Sequence, residues 1–96
     1  MAHLTISVTQ EDINQGEPEV AWRCPIALAM DRAFGYGDGL GNGVQVIIPC
    51  YLLPDSVFPY KLPDRAVEFA QDFDELKDVA PFKFRIWRPV DAPKAA

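Results

Sequence analysis

The sequence predicts an α+β domain in which two helices cover one face of a sheet of three or four strands, as a two-layer sandwich. Three observations carry that reading. Residues 25–34 are almost entirely apolar, with Asp31 and Arg32 their only charges, and Pro25 suits a first helical position because its missing N–H costs nothing there. Leu62, Ala66, Phe69, Ala70 and Phe73 recur at the spacing that lines one side of a second helix. Phe82–Arg88 alternates apolar with basic side chains almost without a break, the pattern of a half-buried strand.

The remaining elements follow in chain order. Leu4–Thr9 alternates apolar and hydroxyl residues and reads as the first strand. Thr9 is placed to cap a short helical turn over 9–13, with Asp12 reaching back in an approximate capping box. Gly16, Pro18 and two glutamates make 14–21 a loop, and the first main helix occupies 23–34. Glycine then takes every second position from Gly35 to Gly43, which reads as a flexible connector. Val44–Ile48 is rich in β-branched residues and reads as a buried strand; Pro49 interrupts it, and Cys50–Leu53 resumes as a third, shorter one. Pro54-Asp55-Ser56 marks a turn. Pro63 opens the second helix, which runs to Leu76, and Pro89 stops the last strand. This order gives a ferredoxin-like βαββαβ topology, with residues 1–90 as a single domain and 91–96 as a flexible tail.

A chain of 96 residues, 49% of them hydrophobic, is long enough for one core. A net charge of −5 disfavours nucleic acid or an anionic membrane as the main partner, because both attract basic surfaces. No apolar run approaches the roughly 20 residues of a membrane-spanning helix. The opening Met1–Leu4 lacks a basic stretch followed by an apolar core, so the expectation is a soluble cytoplasmic protein without a signal peptide.

The string Val8-Thr9-Gln10-Glu11-Asp12-Ile13 is followed by Arg23-Cys24-Pro25-Ile26-Ala27-Leu28-Ala29; the closing half carries Leu62-Pro63, Val67, Phe69, Phe73-Asp74 and Pro81-Phe82-Lys83-Phe84. In these residues the chain resembles a group of small proteins of phage, prophage and bacterial genomes. The likeness covers most of 4–86, and the Cys-Pro-Ile-Ala-Leu-Ala helix start is its most specific part. It implies a mobile-element setting, and so a host cytoplasm, and supplies no catalytic residue. The glycine-rich segment 35–43 departs from the shorter connection usual in that group.

Several residues are candidates for chemistry. His3 is the only histidine and falls in a terminus expected to fray, so neither a zinc site nor histidine-based acid–base catalysis is expected. Cys24 admits two readings. At a helix N-terminus beside Arg23 a thiol is activated by the dipole and the charge; alternatively it is a small apolar residue filling space before the helix. Cys50 would approach Cys24 if 44–49 ran parallel to 4–9, which makes a disulfide or redox pair a further expectation, although a cytoplasmic setting keeps thiols reduced. The glycine loop runs from helix to strand with no lysine after it, the reverse of a phosphate-binding loop; as a mobile connector it still offers Tyr36 and Leu40 for contact.

Asp64, Glu68, Asp72 and Glu75 fall on one side of the second helix, with only Arg65 among them. Like charges at this spacing repel, so the stripe is either a solvated outer surface or an acidic ridge that docks on a basic partner. Lys83, Arg85 and Trp87 share the side of the last strand opposite Phe82, Phe84 and Ile86. Basic groups with an aromatic suit single-stranded nucleic acid, or else protect a solvent-facing strand from aggregation; a second copy of the chain could also cover this face. The function expected is a small non-enzymatic protein-binding module that inhibits or modulates a host protein through the acidic helix face or the open sheet face. The alternatives are a nucleic-acid-binding accessory protein using the last strand and a thiol-dependent enzyme centred on Cys24. No cofactor or metal is expected.

Overall fold

Alternation at both ends of the chain produces a single strand pair. In the computed structural model, which describes residues 3–36, 43–54 and 57–87 (Trp87 without its side chain), β1 (His3–Val8) and β5 (Phe82–Trp87) run antiparallel. The register is continuous, from His3 opposite Trp87 to Val8 opposite Phe82. Side chains alternate across a strand, so Ile6, Val8, Phe82, Phe84 and Ile86 are buried while His3, Thr5, Lys83 and Arg85 stand outward.

The helices lie against the buried face. α1 (Gln10–Gln15) begins at Thr9 with the expected capping box: Asp12 N–H donates to Thr9 Oγ1 at 3.2 Å, and Thr9 N–H donates to Asp12 Oδ2 at 2.9 Å. α2 (Pro25–Phe34) has Pro25 in its first turn and ends at Gly35, whose φ of 84° allows its N–H to reach Asp31 O at 2.8 Å. Its Ile26, Ala27, Ala29 and Met30 are buried, and the helix packs on β1 and α1. α3 (Asp64–Asp74) buries the expected stripe of Ala66, Phe69, Ala70 and Phe73, and the Phe69 ring stacks on Phe82 with centroids 4.7 Å apart. Pro63 is the N-cap of α3 and not its first helical residue. The helix stops at Asp74, followed by a turn in which Leu76 takes a left-handed φ of 64°.

The middle of the chain departs from the expected single sheet. β2 (Gln45–Ile47) and β3 (Cys50–Leu52) form a hairpin through Ile48-Pro49, and β4 (Tyr60–Lys61) adds a third antiparallel strand beside β3. The protein is thus α+β with three helices and two antiparallel sheets, of two and three strands. The ferredoxin-like order, which needs one sheet, is not reproduced by these pairings. The physical reason lies at β2. Its outer edge donates the Val46 N–H to Ala21 O at 2.9 Å, so the loop before α2 occupies the position that a strand parallel to β1 would take. The same observation removes the parallel relation on which the approach of Cys50 to Cys24 rested; both thiols are free.

One core joins the two sheets and the helices, with Val44, Val46, Tyr51, Leu53 and Leu62 added to the residues above. Close backbone approaches fix its borders. Gly16 lies so near Pro25 that a Cβ would come within 2.8 Å of Pro25 Cδ. Gly43 leaves room for the Asp31 carboxylate, which accepts the Val44 N–H at 2.7 Å. Leu40 and the tail expected over 91–96 lie outside the described residues, as does most of the glycine connector; Tyr36 stacks on Phe34 with centroids 5.9 Å apart.

Candidate binding site

The outward face of the β1–β5 pair and the groove beside it hold most of the basic candidates. Register places Ser7 opposite Lys83 and Thr5 opposite Arg85, and Lys83 and Arg85 are exposed as the alternation requires. His3 is not frayed: it is the first residue of β1, and its Nδ1 lies 3.0 Å from Arg85 Nη2. The register sets Trp87 opposite His3, and its side chain lies outside the described residues.

An open groove of about 590 Å³ separates this edge from the three-stranded sheet. Arg85, Ile86 and His3 line one wall; Tyr51, Tyr60 and Lys61 line the other; and the start of α3 is at its end. Tyr51 and Tyr60 stack with centroids 5.5 Å apart. Burial pushes the Tyr51 hydroxyl up to about 12, with the neighbouring Tyr60 adding to the shift. The tyrosines and Lys61 are the functional candidates that the sequence leaves unseen. β4 is two residues between Pro59 and Pro63, too short for any periodic signal, and only its pairing with β3 brings Tyr60 beside Tyr51.

The acidic stripe on α3 is less uniform than its spacing suggests. Asp64, Glu68 and Glu75 are exposed and Asp72 is half-buried. After the left-handed Leu76 the chain folds back, and Lys77 Nζ comes to 3.1 Å from Glu75 Oε1 and 3.8 Å from Asp72 Oδ1. Asp74, unfavourable at the negative end of the helix, accepts the Glu19 N–H at 2.8 Å and so ties the loop to α3. The Arg65 guanidinium lies over the Phe82 ring, 5.1 Å from its centroid.

Cys24 is the N-cap of α2, its Sγ accepting the Ala27 N–H at 3.4 Å. This environment favours the space-filling reading of Cys24 over the activated thiol. Burial outweighs that hydrogen bond and pushes the group up to about 11, so the buried sulfur stays protonated near neutrality. Among the described residues, no group of three or more His, Cys, Asp or Glu is placed to hold a metal ion. No helix among them is long and apolar enough to cross a membrane.

The chain matches no protein-family model, no curated protein and no solved structure.

Proposed function

We propose that the protein is a non-catalytic binding module that docks an acidic protein surface on the outward face of the β1–β5 pair. The observation that carries this reading is the outward row formed by exposed Thr5, Lys83 and Arg85 with half-buried Ser7, which the register aligns and the core does not use. A net charge of −5 on the whole chain favours a protein over a nucleic acid as the partner of so small a basic patch. Lys77 neutralises part of the α3 stripe, which ranks the acidic ridge second as a docking surface. The mobile-element resemblance makes the partner a host protein that this module inhibits or redirects.

The test is the Lys83→Glu/Arg85→Glu double variant, with its fold checked by circular dichroism. It should lose the proteins that the wild type retains from host lysate at low salt and releases as salt rises. Retention by this variant, with loss instead in Glu68→Lys/Asp72→Lys, would move the contact to α3. Binding of single-stranded nucleic acid that the double reversal abolishes would favour the accessory-protein reading. A wild-type dimer that becomes monomeric in the double variant would make the partner a second copy.

A further inference from the structure

We propose that the groove between the two sheets binds a small organic anion: a phosphate or carboxylate carried on a planar apolar body. Two observations support this, the first of them sharing Arg85 with the docking surface. Lys61 and Arg85 line the same groove, and among the described residues neither forms a salt bridge with a carboxylate. Two cations lining one concavity, against the single carboxylate of Asp64, favour an anion there. Tyr51 lines the groove as well. It is only 2% exposed, yet among the described residues its hydroxyl has no hydrogen-bond partner. The hydroxyl is not among the fully enclosed unpartnered atoms, so it opens to the groove, where an anionic oxygen would accept its hydrogen bond.

The remaining lining defines the rest of the ligand. The stacked Tyr51–Tyr60 pair, Leu62 and Ile86 offer a flat apolar wall, which suits an aromatic body. The first turn of α3 opens at the same end, and its N-cap, Pro63, contributes no side-chain hydrogen bond to the free N–H groups. Asp64 stands there too and opposes the anion. The groove therefore has a weak net attraction and selects for one anionic group, not several. Arg85 serves both surfaces, but Lys83 lies outside the groove and Lys61 outside the docking row, so variants at these two residues separate this inference from the proposed function.

Phenyl phosphate, benzoate and inorganic phosphate are the probes, with phenol as the uncharged control, followed by calorimetry and amide chemical shifts of the wild-type chain. Phenyl phosphate or benzoate should bind and shift amides of 60–64 and 85–86, and phenol should not bind. Stronger binding of phenyl phosphate than of benzoate identifies the preferred anion, and the reverse order the other. Lys61→Gln and Arg85→Gln should each weaken binding roughly tenfold, since each removes one charged partner of the anion. Tyr51→Phe should weaken it several-fold without lowering the melting temperature. Asp64→Asn should tighten it, and Lys83→Gln should leave it unchanged. Absence of binding at millimolar concentration, equal binding of phenol, or affinities indifferent to Lys61→Gln and Arg85→Gln would overturn the inference.

Discussion

Leu76 shows how a single residue can hold a conformation that its side chain resists. It takes φ 64° just after α3 and is 77% exposed, so packing does little to compensate the left-handed backbone. Leu76→Gly should raise stability by about 0.5–1 kcal/mol, the relief exceeding the extra freedom of the unfolded chain. For a chain of this size that is a rise of several degrees in melting temperature, at roughly 4–8 °C per kcal/mol. Gly43 is the opposite case. Any Cβ there would collide with the Asp31 carboxylate and disturb its bond to Val44 N–H, so Gly43→Ala should destabilise by about 1–3 kcal/mol in urea unfolding. Cys24 makes a third prediction. With the thiol buried and pushed up to about 11, it should alkylate far more slowly at pH 7.5 than the half-buried Cys50, and mass spectrometry should find Cys50 labelled first.

Among the elements, α1 depends most on a tertiary ion pair. Asp12 is buried, both closing the capping box and receiving two bonds from Arg32, at 2.9 and 2.8 Å. Arg32 also donates to Ser7 O at 2.9 Å, so one guanidinium joins α2, α1 and the end of β1. Burial works to raise the Asp12 carboxyl, but Arg32 and Thr9 together outweigh it and hold the group below its ordinary value. A carboxylate lowered in the folded state contributes stability above its unfolded value of about 3.9, and that contribution disappears as pH falls through the lowered folded value. Urea unfolding should therefore weaken on going from pH 6 to pH 3, and Asp12→Asn should flatten that decline while costing about 1–2 kcal/mol at pH 6. The capping box was legible in Thr9 and Asp12 because it is local. The Arg32 contact spans twenty positions and has no signature in the sequence. The same distinction runs through the other elements. α2, α3 and β5 were legible from caps and periodicity, whereas β4 became visible only through its neighbour β3.

For the whole molecule, what sequence could not give is how the strands associate. Alternation in β1 and β5 announces which residues turn inward, and those assignments hold from Ile6 to Ile86. It carries nothing about partners, so a single sheet was expected where two exist. The candidate surface divides in the same way. Lys83 and Arg85 could be placed from period-two spacing alone, while Lys61, Tyr51 and Tyr60 join Arg85 only because the second sheet stands across the groove. Charge is also distributed by this arrangement, with exposed acids on α3 and exposed bases on the outward side of β5. Rising salt should weaken partner retention by the wild type progressively, and Lys83→Gln alone should make that dependence shallower.

The Ala21 carbonyl seated on Val46 has a consequence for solubility. It works as a stopper: the donor that a neighbouring molecule would use to extend the hairpin into a shared ladder is already engaged. Fibril growth from that side must wait until the segment before α2 peels away, so the latch that separates the two sheets also shields one of them from its own kind.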